Sequence, residues 1–187
     1  MKTFDEGKHE YKSGGIKYPS VTQILPPVDF HCTPEQLEAA RLKGIEFHTK
    51  MEIFLDTGIS GNDPDVEAVA EILTENKNNT GKLIDNENYL FSDKHLFAGK
   101  PDAIFEKAII DFKSSISNKK HMALQFAGYH ILACENKLIE QTKKWYAIYG
   151  KDGKFKIVNV YNNQAIDVFI SLVKRYYINQ NLDYYLK

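Results

Sequence analysis

Cysteine is scarce: Cys32 and Cys134 are the only two in 187 residues, far apart and in no Cys-x-x-Cys pair. That excludes a four-thiolate iron–sulfur cluster and offers no disulfide framework. Both are expected to be buried thiols of a reducing compartment. Charge of one sign is lacking too. Lys and Arg total 24, Asp and Glu 25, and the formal net charge is −1. A broad basic coat is therefore excluded, although a basic patch within one cleft is not. No run of about 18 apolar residues occurs, so no membrane-spanning helix is expected. The opening MKTFDEGKHE has no apolar stretch and carries acids, unlike a secretory or import leader; a cytoplasmic location is the default expectation. There is no phosphate-cradling GxxxxGK[ST] loop, hence no sign of an attached ATP-driven motor. Repeats, low-complexity tracts and linkers are also missing.

What is present suits one folded domain across residues 1–187. Hydrophobic residues make up 43% and aromatic residues 12%, enough for a core at this length. The alternating HEYKSGGIKY around Gly14–Gly15 predicts a hairpin over His9–Tyr18. Ser20 can cap one short helical turn in PSVTQIL. Thr33 opens a capping box with Pro34 at the first helical position; the helix is expected to reach about Lys43, break at Gly44 and resume over Ile45–Asp56. Asp63 and Pro64 start a further helix. Asn76–Gly81 reads as a polar turn. Leu83–Phe91, Leu96–Phe105 and Ala108–Lys113 read as three strands of a meander. Ser117–Lys137 has helical apolar spacing with Ser117 or Asn118 as cap. KKWYAIYG and KFKIVNVY flank the turn KDG as a second hairpin, and Asn162–Leu182 reads as a final helix. This order predicts an α/β fold, a central mixed β-sheet flanked by helices.

The segment FAGKPDAIFEKAIIDFKSS, from Phe97 to Ser115, concentrates the chemistry. Residues two apart on a strand share a face. Asp111 and Lys113 therefore point one way and Ile110 and Phe112 the other, into a core. Asp102, on the preceding strand, can lie beside Asp111 if the two strands pair. Two adjacent carboxylates repel, and a divalent cation resolves that repulsion. A lysine one step on is a poor ligand but can orient a water or meet charge on a phosphate. An ordinary solvent-facing strand with a surface ion pair would give the same pattern. Two helical pairs add to it. His48 and Glu52 stand four apart on one helical face, an imidazole and a carboxylate that could complete a metal site, although a lone histidine on a helix is equally a surface or core residue. Gln125 and Tyr129 stand four apart on the helix after the Asp-x-Lys strand and could hold the lysine or a phosphate; surface polarity and a core-edge tyrosine are the alternative.

Taken together, these pieces resemble the PD-(D/E)xK nuclease superfamily in its RecB-like, phage-type exonuclease branch. GIEFH resembles the Gly-x-x-x-His helix motif, GKPDAIF the Gly-x-x-Asp strand motif, IIDFKSS the Asp-x-Lys motif and QFAGY the Gln-x-x-x-Tyr helix motif, in that order. YPSVTQIL is similar to a Ser-x-Thr segment of phage exonucleases and of the mitochondrial genome-maintenance exonuclease. The pieces span Tyr18 to Tyr129, about three-fifths of the chain. The resemblance implies a restriction-endonuclease-like core. It implies Mg²⁺ or Mn²⁺ held by His48, Asp102, Asp111 and the Phe112 carbonyl, without an iron–sulfur cluster. Asp102, Asp111, Lys113, Gln125 and Tyr129 become the catalytic set. The implied substrate is DNA with a free end, single-stranded or frayed, in phage or prophage replication, recombination or repair, with a phage recombination partner conceivable. A structure-specific endonuclease on the same fold and an inactive nucleic-acid-binding module are the alternatives.

Other residues are open to two readings. Lys119, Lys120 and His121 begin a helix, where cations oppose the macrodipole and a phosphate would be favoured. Lys119 and Lys120 are thus nucleic-acid contacts or a solvated charge run. Ser20 and Thr22 are nucleic-acid contacts by resemblance only. Trp145 is expected in the core, Lys174–Arg175 on the surface, and Tyr176 and Tyr177 divided between the two.

Overall fold

In the computed structural model, residues 1–5, 7–8, 10–28, 32–113, 118–151 and 154–180 are described. His9, Ser117, the Asp152–Gly153 turn and Leu182 lie outside these residues. The N-terminal part forms β1 (Lys2–Asp5), β2 (Glu10–Ser13) and β3 (Ile16–Tyr18), a three-stranded antiparallel sheet in the order β1-β2-β3. The hairpin was expected; its partner β1 was not. Ser20 then caps α1 (Val21–Ile24) through a full capping box with Gln23. Thr33 does the same with Gln36 for α2 (Pro34–Thr57).

Helix α2 corrects the expectation of a break at Gly44. It runs unbroken for 24 residues and stops at Gly58, which takes the left-handed conformation at φ 73°. One glycine costs a helix roughly 1 kcal/mol relative to alanine, too little to end a helix of 24 residues that is capped at both ends. Met51 is the one fully buried residue of α2, and most of its first eleven residues are exposed. Helix α3 (Pro64–Glu75), capped by Asp63, and the short α4 (Lys77–Thr80) follow. A helical turn thus replaces the expected polar loop.

The expected three-strand meander is five strands in two sheets. They are β4 (Leu83–Asn86), β5 (Leu90–Ser92), β6 (Phe97–Gly99), β7 (Ala103–Phe105) and β8 (Ala108–Lys113). Glu87 sits at φ 53° and turns the chain out of β4. Strands β5 and β6 pair with each other, while β4, β7 and β8 join the main sheet. Helix α5 (Lys119–Glu135), capped by Asn118, carries the chain from β8 to β9 (Trp145–Lys151), which pairs parallel to it. Strand β10 (Lys154–Asn159) closes the second hairpin and α6 (Ala165–Asn179) is the last element.

The main sheet has the order β10-β9-β8-β7-β4, mixed as expected, with a core on each face. Ile109, Trp145 and Ala147 pack with α1, α5 and α6. Ile110, Phe112 and Ile148 pack with α2 and α3. Burial on both faces explains why β8 reads AIIDFK rather than alternating apolar with polar. A third cluster of Tyr11, Tyr18, Phe91 and Ala98 joins the two small sheets. Trp145 is fully buried, and Tyr177 is buried while Tyr176 is half-exposed. The thiols differ from expectation. Cys32 is exposed, just ahead of α2, and Cys134 is half-buried with Sγ 3.7 Å from His130 Nε2. No described helix is long and apolar enough to cross a membrane.

Candidate metal centre

The β7–β8 register pairs Ala103 with Ile110. Asp102, one residue ahead of Ala103, therefore falls opposite Asp111. Both are buried, at 7% and 1% exposure. The Phe112 backbone N–H donates to Asp102 Oδ2 at 2.6 Å, locking that carboxylate to β8. Lys113 Nζ lies 2.7 Å from Asp111 Oδ2. That contact is ionic rather than a well-directed hydrogen bond, because neither Asp111 oxygen has a hydrogen-bond partner among the described residues. A buried, incompletely matched carboxylate is costly, and its neighbour is another carboxylate.

Helix α2 brings His48 to this pair. Its Nδ1 is 3.3 Å from Asp102 Oδ1 and 3.7 Å from Glu87 Oε1. Sequence reasoning missed Glu87. It lies on a turn, fifteen residues before Asp102 in the chain, and its N–H donates to the Asp102 carbonyl at 3.2 Å. His48, Glu87 and Asp102 each offer a ligand atom within 4.8 Å of the others. Asp111 stands beside that triplet rather than within it. Glu52 faces the adjoining cleft, about 410 Å³ in volume, which Arg41, Ile45, His48, Glu87 and Lys100 also line.

Helix α5 supplies the opposite wall. Gln125 and Tyr129 are both buried, and Gln125 Nε2 donates to the Tyr129 hydroxyl at 3.0 Å. The Phe112 side chain lies in the α2–α3 core. Ser20 is buried as the cap of α1, with its hydroxyl 3.0 Å from that of Thr22. Lys119 and Lys120 are exposed on the first turn of α5. His121, next to them, has its imidazole held below the usual range, by burial first and then by the Lys113 charge. The start of α5 thus lies close to the lysine.

The protonation pattern follows from this crowding. Burial, then the Asp102 charge, pushes Asp111 up to about 6. Burial alone would raise Asp102 as well, but the His48 charge and hydrogen bond outweigh it and hold Asp102 low. Burial disfavours the His48 cation, yet Asp102 and Glu87 overcome that and raise it to about 10. Lys113 is likewise raised, with Asp111 and Asp102 outweighing its burial. The Tyr129 phenol is raised well above its usual range by burial and then by the two aspartates, so its hydroxyl keeps its proton.

These residues fit a divalent cation. The unmatched Asp111 oxygens supply the need, and carboxylates with one imidazole suit Mg²⁺ or, better, Mn²⁺. A protonated His48 fills part of that need when no cation is bound, and a cation would displace its proton.

No family model and no curated protein matches the sequence. Among solved structures, the chain is similar to a candidate exonuclease from Eubacterium rectale, with a TM-score of 0.48 and 13% identity over 83% of this chain and 69% of that one. It is also similar to the protein SSO0001, with a TM-score of 0.41 and 17% identity over 75% and 70% of the two chains. Both scores are too low to bear weight on function.

Proposed function

We propose that residues 1–187 form a metal-dependent nuclease domain of the PD-(D/E)xK type, on a restriction-endonuclease-like core, acting as an exonuclease on DNA with a free, single-stranded or frayed end. A phage or prophage replication, recombination or repair setting follows from the motif resemblance. One observation carries the reading: two buried carboxylates, Asp102 and Asp111, lie side by side with the Asp111 oxygens lacking hydrogen-bond partners, and Lys113 is held 2.7 Å from one of them.

The chain's own groups divide the work. His48, Asp102 and Asp111, with the Phe112 carbonyl and Glu87, form the pocket for Mg²⁺ or Mn²⁺. A cation there would polarise the scissile phosphate and make water a competent nucleophile near neutral pH. The Lys113 ammonium, anchored on Asp111, orients that water and faces the charge that develops on the phosphate. Tyr129 remains a hydroxyl donor, and Gln125 fixes its direction. Lys119 and Lys120, exposed at the N-terminus of α5, suit the neighbouring backbone phosphates; Ser20 and Thr22 are weaker candidates, since Ser20 is buried.

The test uses linear single-stranded DNA labelled at either end and a circular strand, each with Mg²⁺, Mn²⁺ or EDTA. Wild type should degrade the linear strand only with metal. Lys113→Ala should keep its fold and lose on the order of 10²- to 10⁴-fold in rate. Cleavage of circles identifies the endonuclease alternative, and tight binding without turnover the inactive module. A fully active Lys113→Ala refutes the catalytic assignment.

A further inference from the structure

A second lysine stands at the centre. Lys100 Nζ is 2.6 Å from Glu87 Oε2, while Glu87 Oε1 faces His48 Nδ1 at 3.7 Å. One carboxylate is therefore shared between the metal pocket and an ammonium. Lys100 also lies over the Tyr89 ring, 5.5 Å from its centroid, and Tyr89 stacks on Phe4 of β1 at 4.1 Å. The small N-terminal sheet thus backs the stem of Lys100. Lys100 also lines the cleft, together with Arg41, Ile45 and Glu52.

Charge counting shows what this lysine can do. Glu87, Asp102 and Asp111 bring three negative charges; Lys100 and Lys113 bring two positive ones. With a divalent cation beside a neutral His48 the sum is +1. A phosphodiester, carrying −1, then neutralises it. Without Lys100 the metal-loaded centre would be neutral before substrate arrived and would hold phosphate less well. A divalent cation on Glu87 also repels an ammonium on the same carboxylate. The four-carbon stem lets that ammonium swing, and the open space it borders is the cleft.

We propose that Lys100 is a second phosphate-binding lysine, held on Glu87 in the metal-free protein and released into the cleft to meet a strand phosphate when a divalent cation takes that carboxylate. This rests on the nuclease reading and adds a binding residue to it.

Two measurements test it with Lys100→Met and Lys100→Arg. The first is Mn²⁺ affinity without DNA, followed by the spin-resonance signal of free Mn²⁺. Removing the competing ammonium should tighten Mn²⁺ binding about two- to fivefold in Lys100→Met, the scale of one partly exposed ion pair. The second is binding of a labelled single strand in Ca²⁺ at varied salt. Each phosphate contact contributes a slope of about −0.7 in log affinity against log salt. Lys100→Met should bind about tenfold more weakly, a loss on the scale of one charged hydrogen bond, and lose about 0.7 of that slope, whereas Lys100→Arg keeps it. If Lys100→Met folds poorly, Lys100→Gln replaces it with the same expectation. Weaker Mn²⁺ binding, or an unchanged salt slope, overturns the proposal by leaving Lys100 a support for Glu87. Should wild type cleave DNA and bind Mn²⁺ while Lys100→Met matches it in both assays, this inference alone falls. Failure of wild type to bind any divalent cation removes the nuclease reading as well.

Discussion

Gly128 is where packing and site meet. A Cβ there would lie 2.8 Å from Phe169 Cζ and 2.8 and 2.9 Å from the two Val21 methyls. Phe169 and Val21 are buried at 0% and 1% exposure, so neither has room to retreat, and valine is stiff about χ1. Gly128→Ala therefore overpacks the junction of α1, α5 and α6. Overpacking typically costs about 1–3 kcal/mol, and three contacts this short argue for the upper end. Against that, alanine stabilises a helix interior by roughly 1 kcal/mol over glycine. The net loss is about 2 kcal/mol, or roughly 4–8 °C in Tm for a chain of this size. Thermal melts followed by circular dichroism read this directly. The sharper check is a double-mutant cycle with Val21→Ala, which removes both clashing methyls: the coupling should be about 2 kcal/mol, within the range for residues in contact. Because Gln125 and Tyr129 flank Gly128 on α5, the single variant should also lower the rate of the proposed nuclease, by up to roughly 100-fold for a 1 Å displacement. A Gly128→Ala protein melting at or above wild type, with no coupling to Val21, would refute the packing argument.

Divalent cation at about 100 times its dissociation constant should stabilise wild type by about 2.7 kcal/mol, and Asp111→Asn should lose most of that shift; an equal shift in the variant would remove Asp111 from the pocket. Gly81 sits at φ 78°, ψ −158°, and a Cβ there would lie 2.7 Å from Glu106 Oε2. That conformation is essentially reserved for glycine, so Gly81→Ala should lose about 1–3 kcal/mol in urea unfolding; an unchanged midpoint would contradict it. Hydrogen bonds from Lys17 and then Lys12 hold Glu10 at about 2 instead of 4.5. A lowered carboxylate contributes stability above its unfolded value and loses it as pH falls through its folded one. Any Tm gap between wild type and Glu10→Gln should therefore close between pH 4.5 and about 2; a gap that widens there would reverse the sign.

Much of this was legible because it is local. The caps at Ser20, Thr33 and Asp63 announce their helices through side chains three residues from the groups they bind. Asp111 and Lys113 share a face by strand periodicity alone, and Gln125 and Tyr129 by helix periodicity; the structure places both pairs at one end of the sheet. What was not legible depends on distant contacts. Strands β4 and β5 both lie within Leu83–Phe91, and the chain leaves one sheet for the other at the turn where Glu87 takes a positive φ. The same turn carries Glu87 to His48, and no spacing rule reports a meeting between a helix and a turn 39 residues further along. Gly44 misled for a different reason: glycine weakens a helix without ending it unless the chain must adopt positive φ, as it does at Gly58.

The unsupported first half of α2 sets the order in which the protein comes apart. About three turns, Pro34 to Gly44, are almost wholly exposed among the described residues, and a free helix of that length is marginal in water. Fraying that starts at Thr33 meets its first side chain anchored in the core at Phe47, the residue beside His48. Amide hydrogens of this segment should therefore exchange through local opening long before the sheet does. His48 marks the boundary of that opening, so a cation bound there would slow exchange back along the helix. Warming would open the His48 side of the candidate metal centre while β7, β8 and α5 were still folded.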